Sequence, residues 1–310
     1  MTDDAVLAAL DCGTNSTRLL VAQSGGAVLD RQMRITRLGE GVDATGRLDP
    51  IAIGRTVAVL TDYRRRMEEL GVTRARLVAT SAARDAANTE EFIAAARAAT
   101  GVEPELLSGD DEGRLSFAGA TASLPAAFGG LGPVLVVDIG GGSTELVVGE
   151  NGDAHGAHAV SLDVGCVRVS ERFFHHDPPH AGELADADAV VRGELARARA
   201  VLPPLQRDGP LIGLAGTVST LASLQKGMRE YRREDIHHAV LDVADVSTWL
   251  DVLSSEPAAA RMQRPGMVEG RADIIVGGVL VLACVMDEFD RRRCLVSEDD
   301  ILDGLVASLR

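Results

Sequence analysis

The hydrophobic positions of the chain fall into short runs that predict strands and helices in succession. Apolar runs at 6–10 and 18–23 flank a turn of small residues, which is typical of a β-hairpin. Alternating positions over 28–38 predict a third strand. Apolar residues three or four apart over 50–70 predict a helix, with Gly71 just past its end. Strands followed by helices indicate an α/β fold.

A second set of elements follows a segment of small residues, glycine and proline at 125–132, and we place a domain boundary near residue 125. Apolar runs at 134–137 and 146–148 flank another glycine-rich turn. The longest apolar run, 274–286, is too short to span a bilayer and predicts a buried helix. We also predict a strand at 76–79, a helix at 89–99, a strand-to-helix junction at 106–108 and a helix that begins near Val218.

The two glycine-rich turns share one sequence pattern, D-x-G-x-x-S-T-x-L. The pattern begins at Asp11 and again at Asp138. This spacing is too long for a solenoid repeat, so it indicates two related copies of one domain. We therefore expect a duplicated α/β protein with domains at 1–125 and 126–297 and a cleft between them.

Both turns have the composition of a phosphate site. Glycines let a phosphate approach the backbone N–H groups, and serine and threonine hydroxyls add further donors. An ordinary hairpin turn is the alternative for either turn alone, but two turns in register favour phosphate binding. The predicted phosphate-binding residues of the turns are Gly13, Thr14, Asn15, Ser16, Gly140, Gly141, Gly142, Ser143 and Thr144.

Acidic residues beside the turns predict a metal ion. A carboxylate next to a phosphate repels it unless a cation lies between them. Asp11, Asp138 and Glu145 therefore indicate a bound hard divalent ion, either Mg²⁺ or Mn²⁺.

The net charge limits the classes of partner. The formal charge is −15, so no general basic surface is available for nucleic acid or for an anionic membrane. Cys12, Cys166, Cys284 and Cys294 lack the spacing of zinc ligands, and we expect buried thiols in a cytoplasmic protein. Residues 1–6 have neither the basic nor the apolar region of a secretory signal.

The two turns lie in segments that read DCGTNSTRLLVA at 11–22 and VVDIGGGSTELVVG at 136–149. These segments resemble the phosphate loops of the exopolyphosphatase and guanosine pentaphosphate phosphohydrolase family. That family shares a superfamily with actin, sugar kinases and heat-shock chaperones, so the resemblance implies ribonuclease H-like domains with mixed sheets. The likeness continues through VATSAARDA at 78–86, LLSGDDEGRLSFAG at 106–119, GLAGTVSTLA at 213–222, IHHAVL at 236–241, PGMVEGRADIIVGG at 265–278 and SEDDILDGL at 297–305.

The resemblance implies that Glu112 is catalytic. It matches the family's glutamate, which takes a proton from the attacking water. The residues alone support a second interpretation, in which Ser108 caps a helix and Asp111 closes a capping box. The two interpretations are compatible, with Asp111 structural and Glu112 chemical.

Arg84 and Ser81 are also expected to bind phosphate. Arg84 matches a position at which the family carries an arginine that contacts phosphate. The alternative for Arg84 is a surface ion pair with Asp85 or Glu90.

Several further positions carry weaker predictions. Gly216 and Thr217 precede a predicted helix and are expected to bind a phosphate or a ribose, with an N-cap by Thr217 as the alternative. His237 lies at a family position, and we assign it no catalytic role. For Arg271 and Asp273, a salt bridge, a helix cap and substrate contact remain open.

Two arginine clusters and one histidine-rich segment complete the survey. Residues 64–66 and 291–293 are expected to be solvated helix ends, and guidance of a polyanion is the less favoured alternative. Residues 175–177 precede two prolines, which predicts a loop, and we assign it no chemistry.

Together, the residues and the resemblance imply an Mg²⁺-dependent exopolyphosphatase that releases orthophosphate from inorganic polyphosphate. Hydrolysis of the 5′ γ-phosphate of guanosine pentaphosphate (pppGpp) is the alternative within the same chemistry, and a non-hydrolytic polyphosphate or nucleotide sensor is another. An ATP-dependent kinase or chaperone fits less well, because those relatives use other catalytic groups than Glu112. The resemblance also implies a homodimer of the family's short form, with a last helix at 298–309 packed on the first domain.

Overall fold

A computed structural model describes residues 5–125, 132–207 and 209–310. Its strands are β1 (Val6–Cys12), β2 (Ser16–Gln23), β3 (Val28–Ile35), β4 (Arg74–Ala79), β5 (Pro104–Leu106), β6 (Val134–Ile139), β7 (Thr144–Gly149), β8 (His158–Leu162), β9 (Leu211–Leu214), β10 (Val240–Asp242) and β11 (Arg293–Val296). Its helices are α1 (Val42–Thr45), α2 (Pro50–Glu69), α3 (Ser81–Asp85), α4 (Thr89–Thr100), α5 (Gly109–Thr121), α6 (Cys166–Phe173), α7 (Ala181–Val201), α8 (Ala215–Lys226), α9 (Arg233–Ile236), α10 (Val243–Ser254), α11 (Ala258–Arg261), α12 (Ile275–Glu288) and α13 (Ile301–Ser308).

The chain divides into two compact units. Unit 1 comprises Met1–Gly119 together with Ile301–Arg310, and unit 2 comprises Ala120–Asp300. Most of the segment at 125–132, where the sequence placed a domain boundary, lies outside the described residues. The predicted cleft between the two copies stays a prediction.

Each unit is built on a mixed sheet, and the two sheets share one strand order. Unit 1 has the order β3-β2-β1-β4-β5, and unit 2 has β10-β11-β9-β6-β7-β8. In both units the first three strands in chain order form antiparallel pairs. The first of them also pairs in parallel with the fourth, so that β1 pairs with β4 and β6 pairs with β9. The prediction of a duplicated α/β fold with mixed sheets is therefore confirmed.

The core of unit 1 follows from the two-residue period of its central strand. Leu7 and Leu20 face one side of the sheet, where they pack with Leu305 of α13. Leu10 faces the other side, where it packs in a cluster with Tyr63 of α2. The central strand is apolar on both faces because helices cover both faces of the sheet.

The core of unit 2 is centred on α12, the predicted buried helix. Two adjacent glycines, Gly277 and Gly278, bring neighbouring helices close to it. A Cβ on Gly277 would lie 2.7 Å from Ser170 Oγ of α6, and one on Gly278 would lie 2.2 Å from Thr217 Oγ1 of α8. Along α12 nearly every apolar side chain is buried, as the long apolar run predicts.

Three element boundaries differ from the prediction by three residues. β3 ends at Ile35 rather than Leu38, because the residues that follow bond a loop instead of the sheet. α8 begins at Ala215 rather than near Val218, with Ala215 itself at a positive φ of 65°. The last helix begins at Ile301 rather than Glu298, because the Ser297 side chain and Asp299 bond each other in a turn.

The arginines of 64–66 are solvent-accessible at the C-terminal end of α2, as predicted, and Arg292 and Arg293 of the second cluster are exposed. In 64–66, each arginine bonds a nearby carboxylate. The prediction was wrong for Arg291, which is buried and donates to the Gln206 carbonyl oxygen at 2.7 Å. All four cysteines are buried and free. Within the described residues, no helix combines the length and the apolar character needed to cross a membrane.

Gly304→Ala is expected to destabilise unit 1. A Cβ on Gly304 would lie 2.1 Å from the Leu115 carbonyl oxygen, so α13 would have to move away from α5. We expect a loss of about 1–3 kcal/mol of unfolding free energy, measured by urea denaturation. The control is Gly54→Ala in α2, where no atom lies within 4 Å of the added carbon. Equal stability of the two variants would contradict the tight packing of α13.

Candidate active site

The first loop, residues 13–15 between β1 and β2, is held by the segment that follows β3. The N–H groups of Thr36 and Arg37 donate to the Asn15 carbonyl oxygen at 3.1 and 2.9 Å. The N–H of Gly39 donates to the Thr14 carbonyl oxygen at 2.9 Å. These three bonds place the loop carbonyls on one side, facing residues 36–39.

The second loop, residues 140–143 between β6 and β7, is held in the same manner by the first turn of α6. The Cys166 N–H donates to the Gly140 carbonyl oxygen at 2.9 Å. The N–H groups of Val167 and Arg168 donate to the Gly141 carbonyl oxygen at 2.9 and 3.1 Å. The α6 N-terminus is therefore occupied by loop carbonyls rather than open to a ligand.

These hydrogen bonds orient the loop N–H groups. In a planar trans peptide, the carbonyl of one residue and the N–H of the next point in opposite directions. The N–H groups of Asn15 and Ser16 therefore point away from residues 36–39, and those of Gly141 and Gly142 point away from α6. Outward-pointing backbone N–H groups on consecutive residues form an anion-binding concavity.

Two glycines outside the loops permit this close approach. A Cβ on Gly39 would lie 2.3 Å from Thr14 Cγ2, and a Cβ on Gly165 would lie 2.4 Å from the Gly141 carbonyl oxygen. A larger residue at either position would displace a loop. These contacts are made within each unit, so each loop is positioned by its own unit.

The polar side chains at the two loops are buried. The Thr144 hydroxyl donates to the Val164 carbonyl oxygen, and Ser143 is buried. Thr14 and Asn15 are also buried. The Asn15 side-chain nitrogen is buried without a hydrogen-bond partner among the described residues, which is unusual for a native donor and typical of a ligand-binding position.

The acidic residues beside the two loops have different neighbours. Asp11 lies opposite Arg18 in the hairpin, and Arg18 donates to Asp11 Oδ2 through Nε at 2.9 Å and Nη2 at 2.6 Å. Asp138 lies opposite Glu145 at the corresponding place in unit 2. Both of these acids are buried, and Ser161 donates to Glu145 Oε1 at 2.8 Å. The second loop thus has two neighbouring carboxylates where the first has a carboxylate and a guanidinium.

Glu112 lies in the first turn of α5 and is paired with Arg84 of α3. Arg84 Nη1 is 3.3 Å from Glu112 Oε2 and donates to the Leu107 carbonyl oxygen at 2.9 Å. This partner differs from Asp85 and Glu90, the two residues considered as partners in a surface ion pair with Arg84. Ser81 is buried in the same helix as Arg84. The guanidinium therefore fixes the position of the Glu112 carboxylate at the start of α5.

The predicted cap by Ser108 is confirmed, whereas Asp111 bonds the Ser108 hydroxyl rather than the Ser108 backbone N–H that a capping box requires. The Ser108 hydroxyl accepts the Asp111 N–H at 3.1 Å and donates to Asp111 Oδ2 at 2.7 Å. Asp111 is thus occupied in a local bond at the start of α5. Glu112 points to Arg84 instead, so the two neighbouring acids have separate surroundings.

Gly216 and Thr217 occupy the first turn of α8, so the alternative of an N-cap by Thr217 is wrong, while binding of a phosphate or a ribose stays a prediction. The N-cap residue is Leu214, because α8 starts three residues earlier than predicted. Thr217 is buried and packs on Gly278. A Cβ on Gly216 would lie 1.8 Å from the Arg271 guanidinium carbon, so this arginine lies directly against the Gly216 backbone.

His237 ties two backbone segments of unit 2 together. Its Nδ1 accepts the Glu298 N–H at 3.1 Å, and its Nε2 lies 3.7 Å from the Asp299 carboxylate. Burial raises the pKa of Asp299, but a hydrogen bond from Ser123 and the charge of Arg233 outweigh burial and bring the pKa below its usual value. The imidazole is therefore held by backbone and carboxylate contacts.

A protein-family model matches residues 20–309 of the chain. The model describes the Ppx/GppA phosphatase family. The chain belongs to the Ppx/GppA phosphatase family.

Relatives of this Ppx/GppA protein include curated and solved examples. It is 41% identical to exopolyphosphatase 2 of Mycobacterium tuberculosis, over 98% of both chains. A solved exopolyphosphatase-like protein is 33% identical with a TM-score of 0.90, and covers 98% of each chain. The Ppx/GppA family member of Aquifex aeolicus is 32% identical with a TM-score of 0.81, over 98% of this chain and 97% of the other.

Sequence reasoning missed three partners in this Ppx/GppA protein. Arg18 could have been found, because a hairpin that pairs Cys12 with Thr17 across its turn places Arg18 opposite Asp11. Ser161 belongs to β8, whose register with β7 no short-range signal specifies. The contact between Arg271 and Gly216 joins distant segments and has no local signature.

Gly165→Ala is expected to impair this phosphatase without unfolding it. The added Cβ would displace the Gly141 carbonyl and rotate the N–H groups of the second loop. Because a misplacement of about 1 Å can cost roughly a hundredfold in rate, we expect turnover to fall at least tenfold in a phosphate-release assay. Gly193→Ala in α7, which adds a carbon to open space, is the control and should retain turnover. Full activity of both variants would mean that the second loop tolerates displacement.

Proposed function

We propose that this chain is an exopolyphosphatase that hydrolyses the terminal phosphoanhydride bond of inorganic polyphosphate and releases orthophosphate. One observation carries the choice of substrate class. The chain is 41% identical to a curated exopolyphosphatase, and the similarity extends over 98% of both chains. Membership of a phosphatase family and the two amide-lined loops agree with this proposal.

The loops are assigned to phosphate binding. Outward-pointing N–H groups of Asn15, Ser16, Gly141 and Gly142 donate to phosphoryl oxygens, and the buried Asn15 amide adds a side-chain donor. This assignment is supported by the way each unit fixes its loop before any ligand binds. Pre-organised donors lose little conformational entropy when a phosphate arrives.

Asp138 and Glu145 are assigned to a divalent cation, most simply Mg²⁺ or Mn²⁺. Their carboxylates are neighbours across two strands and are buried beside the second loop, and hard cations prefer such oxygen ligands. When bound, Mg²⁺ supplies charge neutralisation at the phosphoryl oxygens. Asp11 is given a different role, because its contact with Arg18 fixes the first hairpin.

Glu112 is assigned as the general base. Its carboxylate accepts a proton from the water that attacks the terminal phosphorus, and the bridging oxygen leaves with the shortened chain. Arg84 positions this carboxylate through its bond to Oε2 and is itself anchored on the Leu107 carbonyl. A base held in this way needs little reorganisation during the reaction.

The substrate assignment is tested by measuring phosphate release from long-chain polyphosphate, tripolyphosphate and pppGpp with the purified full chain. We expect orthophosphate from long-chain polyphosphate in the presence of Mg²⁺. Release from pppGpp alone would replace the proposal by its alternative. Polyphosphate binding without release from any substrate would indicate a sensor.

Glu112→Gln is expected to remove turnover while it leaves binding intact. The amide cannot accept the proton, and general-base catalysis contributes about 10²–10⁴-fold to rate. Turnover should fall by that factor in the phosphate-release assay, with little change in polyphosphate affinity. The matched control is Asp111→Asn, which changes the neighbouring acid and should keep most turnover. Equal loss in both variants would reduce Glu112 to a structural role at the start of α5.

Glu145→Gln is expected to raise the Mg²⁺ concentration needed for half-maximal activity. The substitution removes one of two neighbouring anionic oxygen ligands but keeps the shape and the bond from Ser161. The measurement is a Mg²⁺ titration of phosphate release at fixed polyphosphate. Glu150→Gln, which changes the exposed acid just after β7, is the control. Coincident titration curves for the two variants would assign the cation elsewhere.

A further inference from the structure

A cluster of two histidines and one glutamate lies at the start of α7, in the segment to which the sequence gave no chemistry. His176, His180 and Glu183 each offer one ligand atom, and these atoms all lie within 4.8 Å of one another. The histidines are exposed, while the Glu183 side chain is mostly covered. Among the described residues, no other group of three histidine, cysteine, aspartate or glutamate side chains brings its ligand atoms within this distance.

The cluster is assembled around the Glu183 carboxylate. Its Oε1 lies 2.9 Å from His176 Nδ1 and accepts the His175 N–H at 2.9 Å. Its Oε2 accepts the His180 N–H at 2.8 Å. The rings of His176 and His180 are stacked, with centroids 3.7 Å apart and planes inclined by 19°. The two imidazoles are therefore held side by side against one carboxylate.

The loop that joins the two histidines is anchored independently of them. The Asp177 carboxylate accepts the Ala258 N–H at 2.8 Å and a bond from Arg261 Nη2 at 2.9 Å. Arg261 is buried and also donates to the carbonyls of Leu253 and Ala272. Prolines 178 and 179 restrict the backbone between the histidines further. The backbone between the two histidines is therefore anchored, while their exposed side chains can still rotate.

We propose that His176, His180 and Glu183 form a surface site for a first-row transition metal ion, and that Zn²⁺ is the preferred ion. Two imidazoles and a carboxylate are a known zinc ligand set that leaves a position for water. Imidazole nitrogens favour Zn²⁺, Ni²⁺ or Cu²⁺, whereas Mg²⁺ favours oxygen ligands. When Zn²⁺ binds, it would replace the contact between His176 Nδ1 and Glu183 Oε1, which would both become ligands.

Several features of the cluster fit such an ion. Zinc bonds to nitrogen and oxygen are about 2.0–2.2 Å long, so side-chain rotations bring ligand atoms at the observed separations onto one ion. Glu183 Oε2 keeps its bond from the His180 N–H, which orients the carboxylate as a ligand. The cluster shares no residue with the two loops and does not include Glu112, so this proposal does not depend on the proposed phosphatase activity.

The site is tested by titrating the tag-free, chelator-treated full chain with Zn²⁺ in a calorimeter, in the presence of excess Mg²⁺. We expect the His176→Ala/His180→Ala variant to bind one Zn²⁺ fewer per chain than the wild type. His175→Asn changes an exposed neighbour outside the ligand group, and this control should bind Zn²⁺ as the wild type does. If the double variant does not fold, His180→Asn decides the question, because asparagine is well tolerated at an N-cap.

A second measurement distinguishes metal binding from a purely structural role, in which His180 caps α7 and stacks on His176. When Co²⁺ is added instead of Zn²⁺, we expect visible absorption from the wild type and from His175→Asn. The double variant should lack this absorption. For His180→Asn we expect Zn²⁺ affinity to fall more than tenfold, since loss of even an outer-shell partner costs about 10–100-fold. Equal Zn²⁺ stoichiometry and affinity in wild type and a folded variant would overturn the proposal.

Discussion

The direction of a few peptide groups governs the chemistry available to both units of this protein. In each unit, the carbonyls of a short loop between two strands accept hydrogen bonds from a later backbone segment. Since the peptide is planar and trans, fixing a carbonyl on one side fixes the next N–H on the other. Residues 36–39 perform this task in unit 1, and the first turn of α6 performs it in unit 2. Loop conformation is thus a property of the packing of the whole unit.

The duplicated frame carries different charges in its two copies. Arg18 and Glu145 occupy the same register position opposite the first aspartate of the shared pattern. One copy therefore has an internal cation beside its loop, and the other has a second acid. The two hairpins thus share a backbone arrangement, but the residue opposite the aspartate is basic in unit 1 and acidic in unit 2. The first hairpin thus neutralises its acid internally, whereas the second keeps two neighbouring acids beside its loop.

Local periodicity accounts for what could be predicted from the sequence. The two hairpins, the buried helix at 274–286 and the duplication follow from patterns within short stretches. The close approach of Gly39 and Gly165 to the loops could not be predicted, because it depends on contacts between distant parts of each unit. The early start of α8 was missed because Ala215 adopts a positive φ that alanine rarely takes. The catalytic role proposed for Glu112 comes from resemblance, whereas its contact with Arg84 joins α3 to α5 and has no local signature in the sequence.

The place of α13 in unit 1 has a consequence for the order in which the chain matures. Leu7 and Leu20 are covered by Leu305, which a ribosome adds only after every residue of unit 2. Domains usually fold in the order in which they are synthesised. Here the second unit can be completed while the first still exposes one apolar face of its sheet. The apolar cluster on this face of the sheet of unit 1 therefore stays incomplete until the last residues of the chain have been added.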